Sequence, residues 1–331
     1  MGVIGLGRFG ALHARVLAQL PQVELVGICS RSEERVGEVA ATCGEPRPYT
    51  DPAALLAAPD IDAVDIVTEV DRHTEIALAA MKRGKHVFCE ILVTPSPREM
   101  DALAQAARAS DVVFMPGFLE RFDVRRAGLR QKAVEGSLGR LVSLYGRRNI
   151  WRGILDEPRF ELYPLILQPG IHTIDQLLWI AAEEVREVYA RGRGIVDPAR
   201  PDTWWAMLTF ESGLLGVIEQ SWFVPNRQLN WCDVRLEIVG TSGTAQIKEP
   251  GDATWIWTEE TVEAPDTYLA PEVHGRISGA LEAELAHFAS CIAQGRAPLC
   301  TLQDAHEALA VGLAIVESAE RGAPVSLGAR S

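Results

Sequence analysis

The segment that most constrains this chain is Gly5-Leu6-Gly7-Arg8-Phe9-Gly10, directly behind Met1-Gly2-Val3-Ile4. Its spacing is G-x-G-x-x-G, in which glycines let the backbone turn sharply and approach a pyrophosphate. A helix that opens at such a turn aims unpaired N–H groups and a positive dipole end at the same place. The spacing alone is weak evidence, so the flanking sequence decides. Phe9, Leu12, Val16, Leu17 and Leu20 recur at helical spacing, and the apolar run from Val23 to Cys29 reads as a strand. The glycines thus lie in a strand–turn–helix–strand unit, with a short first strand. That context predicts a dinucleotide site at Gly5, Gly7, Arg8, Phe9 and Gly10.

The residue closing the second strand selects the cofactor. An acidic side chain there would bind a ribose 2′-hydroxyl and repel a 2′-phosphate. This chain has Ser30 followed by Arg31, with Arg35 one helical turn on. A hydroxyl and guanidinium groups suit a phosphate dianion, which favours NADP(H) over NAD(H). Ser30 or Ser32 also fits the N-cap of the next helix.

Further strands at Ala63–Thr68, Lys85–Cys89 and Asp111–Met115 alternate with helices, one over Thr74–Met81 and one after Pro95-Ser96-Pro97. This rhythm predicts a Rossmann-type, doubly wound parallel sheet over residues 1–120. Ligand groups then belong just past the carboxyl ends of the strands, at Thr68, Glu69, His73 and Glu90; His73 also reads as a helix-start residue. From residue 121 the pattern changes. A helix to Glu135 is followed by period-two strands, such as Val234, Leu236 and Ile238 alternating with Arg235 and Glu237. Trp204–Phe210 and Leu214–Trp222 read as a hairpin across Glu211-Ser212-Gly213. Helices carrying Leu281, Leu285, Phe288 and Ile292, and running from Gln303 to Arg321, close the chain. Residues 121–331 are therefore expected to form an α+β domain with a large open-faced, mainly antiparallel sheet for substrate binding and oligomerisation. Trp204, Trp205, Trp222 and Trp231 read as sheet packing or subunit interface, and the segment from Pro250 to Tyr268 as loop with a short strand near Trp255.

The formal charge of −13 argues against a nucleic-acid partner. No run approaches the roughly 18 apolar residues of a membrane span, and no charged-then-apolar leader precedes the glycine turn. Six scattered cysteines without CxxC spacing argue against zinc or a disulfide framework. The expectation is a cytoplasmic protein with no metal.

Several stretches together resemble the Gfo/Idh/MocA oxidoreductase family. They are the glycine turn, Asp62-Ala63-Val64-Asp65-Ile66-Val67-Thr68, Gly84-Lys85-His86-Val87-Phe88-Cys89-Glu90, Pro169-Gly170-Ile171-His172-Thr173-Ile174-Asp175 and Ile238-Val239-Gly240-Thr241-Ser242-Gly243. The resemblance implies hydride transfer between a nicotinamide and a sugar-like or polyol hydroxyl or ketone, and a homodimer or homotetramer built through the open sheet. It also implies an acid–base trio: the lysine of Glu-Lys-Pro, an aspartate and a histidine. Here Glu90 is followed by Ile91 and Leu92, and the aspartate position holds Gln168. Only His172 of the trio remains. Lysines elsewhere are Lys82, Lys85, Lys132 and Lys248, none placed to compensate. His172 is the expected proton relay, with Gln168 able to hydrogen-bond a substrate hydroxyl and Tyr163 as a second proton donor. Asp175, one turn after His172, is expected to orient it or to face the substrate, and Arg148, Trp151 and Arg152 to line the substrate side. Two alternatives fit the missing lysine: reduction of an imine or activated double bond, and a cofactor-binding sensor or accessory protein without turnover.

Overall fold

The computed structural model describes residues 1–153, 162–228, 230, 232–249, 254 and 256–328. They fall into two compact units. The first comprises Met1–Phe122 with Thr267–His306, and the second Asp123–Asp266 with Glu307–Ser331.

The first unit is built on six parallel strands. They are β1 (Gly2–Ile4), β2 (Gly27–Cys29), β3 (Arg47–Tyr49), β4 (Ala63–Ile66), β5 (His86–Glu90) and β6 (Phe114–Gly117). Their order, β3-β2-β1-β4-β5-β6, is that of a doubly wound dinucleotide fold with a switch point between β1 and β4. β1, β2 and β4 are buried along their whole length, as central strands covered on both faces must be. Helices α1 (Arg8–Gln19), α2 (Glu33–Ala40), α3 (Pro52–Ala57), α4 (Val70–Met81) and α5 (Pro97–Arg108) connect them. Their starts follow capping chemistry. Ser32, Asp51 and Ser96 accept backbone N–H bonds at the N-caps of α2, α3 and α5, and α3 and α5 open on a proline. Ser32, not Ser30, is therefore the cap. The strand expected from Val23 shortens to Gly27–Cys29, and the one expected at Asp111–Met115 lies at Phe114–Gly117.

By contact, the range 121–331 divides between the two units. Residues 267–306 pack with the first unit. The reason is helix α8 (Ala280–Gln294), whose Phe288 meets β5's Phe88 edge-on at 5.7 Å. Of its apolar stripe, Leu281, Leu285 and Phe288 are wholly buried and Ile292 is half-buried.

The second unit holds a seven-stranded sheet. Helix α6 (Val124–Val134) leads into β7 (Leu141–Trp151), α7 (Gly170–Ala181), β8 (Val185–Arg193), β9 (Thr203–Phe210), β10 (Leu215–Val224), β11 (Cys232–Gly240) and β12 (Thr244–Glu249). Beyond them, β13 (Ile256–Trp257) pairs with β14 (Val262–Glu263), and in the first unit β15 (Glu272–Val273) pairs with β16 (Arg276–Ile277). Helix α9 (Leu302–Arg321) and β17 (Val325–Ser326) follow. The sheet order is β12-β11-β7-β10-β9-β8-β17, antiparallel except for the central β7–β10 pair. β9 and β10 form the expected hairpin, with Trp204 opposite Gln220. One sheet face carries the core: Leu144, Ile150, Trp204, Leu208, Ile218, Trp222, Leu236 and Ile238 are buried. The other face carries Trp205, Met207 and Leu215, each more than two-fifths exposed. Trp231 and Trp255 lie outside the described residues.

Candidate active site

The glycine turn has the geometry its spacing predicts. Gly5 sits at φ +99°, and a Cβ there would lie 2.4 Å from the Val67 carbonyl oxygen. At Gly10 an added Cβ would lie 1.9 Å from the Gly5 carbonyl oxygen, so α1 presses directly on the turn. Gly7 differs: it is exposed and has open space where a Cβ would stand. The three glycines therefore divide the work as a dinucleotide turn requires: a sharp bend, an open approach and close helix packing. Gly7 is also the N-cap of α1 and supplies no side-chain cap, leaving the helix's first N–H groups for an anion. The residues present thus fit a dinucleotide pyrophosphate. Arg8 is exposed at the first helical position, and Phe9 packs inward against the His13 ring at 4.5 Å.

At the end of β2, Ser30 is half-buried and accepts a long bond from the Ser32 amide. Arg31 is largely exposed and reaches Glu69 at 3.2 Å. Arg35 is placed differently from expectation. Its Nε donates to the Leu6 carbonyl at 2.7 Å and its terminal nitrogen to Glu38 at 2.8 Å. It therefore braces the glycine turn instead of waiting for a phosphate.

His73 also takes a different task from cofactor contact. It is 1 % exposed. Its ring nitrogens lie 3.0 Å from the carbonyl oxygens of Leu92 and Thr68, tying the ends of β4 and β5 together. Burial lowers its pKa, and the carbonyl bonds offset part of that effect. The Thr68 hydroxyl donates to the Glu69 carbonyl.

Glu90, at the carboxyl end of β5, belongs to a buried chain of ionisable groups that the sequence reading did not single out. His13 Nδ1 lies 2.9 Å from Asp65 Oδ2, and His13 Nε2 lies 3.4 Å from Glu90 Oε1. Both His13 and Asp65 are fully buried, and Glu90's side chain is 12 % exposed. Burial works to lower the His13 pKa, but the charge and hydrogen bond of Asp65 outweigh it and hold the imidazole protonated above its ordinary range. Burial pushes the Glu90 carboxyl up to about 7, against the pull of His13. The sequence did carry the signal: a histidine on the apolar stripe of α1 and a lone aspartate inside the apolar strand β4.

In the second unit, α7 carries His172 and Asp175. Its start is pressed on the sheet: a Cβ at Gly146 of β7 would lie 2.4 Å from Thr173 Cγ2. Gln168, just before the helix, donates its amide to the Tyr163 carbonyl at 2.9 Å. Gln168, Tyr163 and His172 are all half-buried, whereas Asp175 is 1 % exposed. That burial places Asp175 within the packing of α7 rather than on an open substrate surface. Arg148 likewise faces the buried side of the sheet, 3 % exposed, in register with Gln220 and Val234. Trp151 donates its indole N–H to the Gln228 carbonyl at 3.1 Å, and the exposed Arg152 lies 6.0 Å over the Phe223 ring. These three side chains are engaged with the sheet and its loops.

The lysines have other surroundings, Lys82 standing exposed at the C-cap of α4. Lys85 is buried at the start of β5 and donates to the Ala58 carbonyl, Lys132 pairs with Glu135, and Lys248 is exposed on β12. Among the described residues no cluster of His, Cys, Asp and Glu could hold a metal ion, and no helix is long and apolar enough to cross a membrane.

Comparison with known proteins matches both halves of the chain. Residues 1–118 match the model of an oxidoreductase family with an NAD-binding Rossmann fold, and residues 132–327 match that family's C-terminal alpha/beta domain. Myo-inositol 2-dehydrogenase of Thermotoga maritima is 31% identical, over 99% of this chain and 98% of its own. The NAD(+)-named scyllo-inositol 2-dehydrogenase of Bacillus subtilis is 28% identical, over 98% and 95%. The crystal structure of Lactobacillus casei scyllo-inositol dehydrogenase with bound NAD(H) and scyllo-inositol shares the fold, with TM-score 0.83 at 23% identity over 98% of both chains.

Proposed function

The chain is a nicotinamide-dependent oxidoreductase of the Gfo/Idh/MocA family, and on that premise we propose that it oxidises a secondary hydroxyl of an inositol-like cyclic polyol. The bound nicotinamide supplies the hydride acceptor: the alcohol carbon gives up a hydride and its oxygen a proton, leaving ketone, reduced cofactor and one proton.

The observation that carries the cofactor half of this reading is the glycine turn, with Gly7 open, Gly5 at positive φ and Gly10 against the Gly5 carbonyl, and the polyol half rests on the likeness to inositol dehydrogenases. The turn holds the pyrophosphate at the uncapped start of α1. Ser30 and Arg31 at the end of β2 receive a ribose phosphate, so NADP(H) binds more tightly than NAD(H). On the substrate side, His172 takes the hydroxyl proton. An imidazole can work as an acid–base group in both directions near neutral pH. Tyr163 and Gln168 supply hydrogen bonds to neighbouring hydroxyls; an amide can orient a hydroxyl but cannot take its proton. The exposed sheet face around Trp205, Met207 and Leu215 meets a second copy of the chain.

The test is His172→Asn, with turnover and cofactor affinity measured together. Turnover should fall by about 10²–10⁴, the usual size of an acid–base contribution, while the cofactor dissociation constant stays unchanged. Undiminished turnover would remove His172 from the chemistry.

A further inference from the structure

We propose that the Asp65–His13–Glu90 chain makes Glu90 a sensor of the cofactor's redox state, binding the oxidised nicotinamide as a carboxylate and the reduced one as the protonated acid. The inference rests on the nicotinamide reading above.

In a doubly wound sheet the dinucleotide crosses the switch point between β1 and β4. The glycine turn and the end of β2 take the pyrophosphate and the adenosine ribose. The nicotinamide half then falls to the carboxyl ends of β4 and β5, where Glu90 stands. An oxidised nicotinamide ring is a cation and a reduced one is neutral. A carboxylate in a partly buried site discriminates between them, because charges interact more strongly away from water.

The surroundings are arranged to keep that carboxyl poised. The charged groups facing Glu90 are His13 from α1, at 3.4 Å, and Asp65 from β4, which holds His13's other nitrogen. From β6 comes Gly117, where an added Cβ would lie 2.7 Å from Glu90 Oε1, so a larger residue would displace the carboxyl. Glu90 Oε2 accepts from the Ile91 amide at 3.3 Å. Oε1 has no hydrogen-bond partner among the described residues, and neither has Asp65 Oδ1. His13 stands between the two carboxyls, and of the three groups only Glu90 keeps some side-chain exposure. Its carboxyl, pushed up to about 7 by burial, titrates in the range where the enzyme would work.

The consequences follow from linkage. The oxidised cofactor binds the ionised form better, so it lowers the Glu90 pKa and expels a proton; the reduced cofactor binds the acid form better, so it raises that pKa and takes a proton up. The experiment measures binding of NAD⁺, NADH, NADP⁺ and NADPH between pH 6 and 8 by calorimetry, in buffers of different ionisation enthalpy and without substrate. The affinity ratio of oxidised to reduced cofactor should rise about tenfold as pH climbs through this range. Binding of the oxidised form near pH 7 should release a fraction of a proton, and binding of the reduced form should take up a fraction of one. Glu90→Gln should abolish both the pH dependence and the proton release. His13→Gln, by removing the cation beside Glu90, should move the midpoint to higher pH; a merely structural His13 would leave it in place. A pH-independent ratio in the native protein, or a pH dependence that survives Glu90→Gln, would overturn the inference. Failure of all four cofactors to bind would instead overturn the dehydrogenase reading.

Discussion

Individual side chains in this protein carry charge deep into the packing, and the protein depends on their partners. Arg126 is 1 % exposed and bonded to Asp123 and Glu249, while Arg125 reaches the same two carboxylates. Asp123 also caps α6 by accepting from the Arg125 amide at 2.9 Å. Burial would raise the Asp123 pKa, but the bond from Arg125 and the charge of Arg126 win and hold it below the ordinary range. A folded-state pKa lower than the unfolded one means the unfolded chain binds more protons in acid. The stabilisation is therefore complete above about pH 4 and disappears as pH falls through the folded pKa. Asp123→Asn keeps the cap, since asparagine caps well, but leaves the buried guanidinium short of a partner. We expect it to cost about 3–5 kcal/mol at pH 7, with the difference from native shrinking toward pH 3 in urea unfolding curves. A constant difference across that range would show that the charge of Asp123 is irrelevant. The bonds to Glu249 are hard to find in sequence, because Arg125 and Arg126 are distant from it along the chain. His13 and Asp65 were more legible: each is a polar residue in an apolar pattern. What the pattern does not contain is that they touch.

At the scale of elements, glycine decides how closely backbone approaches backbone. The turn at Gly5, Gly7 and Gly10 was readable because each glycine has a stereochemical duty at a fixed spacing. The glycine at 146 was not. It lies in the middle of β7, and nothing in a period-two strand announces that α7 rests on it through Thr173 and Leu177. Gly146→Val should push the start of α7 off the sheet, costing about 1–3 kcal/mol of stability, as overpacking does. Because that helix carries His172, turnover should drop by about tenfold or more while cofactor affinity is preserved, a split read from kcat and a separately measured cofactor Kd. Unchanged turnover in a destabilised variant would mean that His172 is positioned by something other than α7's seat. Single-strand errors had simpler causes. The strand expected at Val23 starts late because Pro21-Gln22 forms a turn followed by coil to Val26, and the β1 register begins only at Gly27.

For the whole molecule, alternation of strands and helices was enough to read the doubly wound sheet, and grouped strands enough to read the open sheet after it. The allocation of residues 267–306 was not legible. An amphipathic helix shows that it has an apolar face without showing which core receives it, and α8 gives its Phe288 to Phe88 of the first unit. The chemistry was half legible for a similar reason. Cofactor binding is encoded in one contiguous motif, whereas proton transfer draws on residues scattered over the chain, and here Ile91 and Gln168 replace two groups that the family resemblance leads one to expect. The proposed reaction is oxidation of a cyclic polyol with Ile91 where the resemblance implies a lysine. The most direct measurement is the absorbance of reduced nicotinamide formed when the purified protein is mixed with myo- or scyllo-inositol and NADP⁺ or NAD⁺. Polyol-dependent reduction is expected, faster with NADP⁺ at subsaturating cofactor and suppressed in His172→Asn; tight cofactor binding with no reduction by either polyol would contradict polyol oxidation.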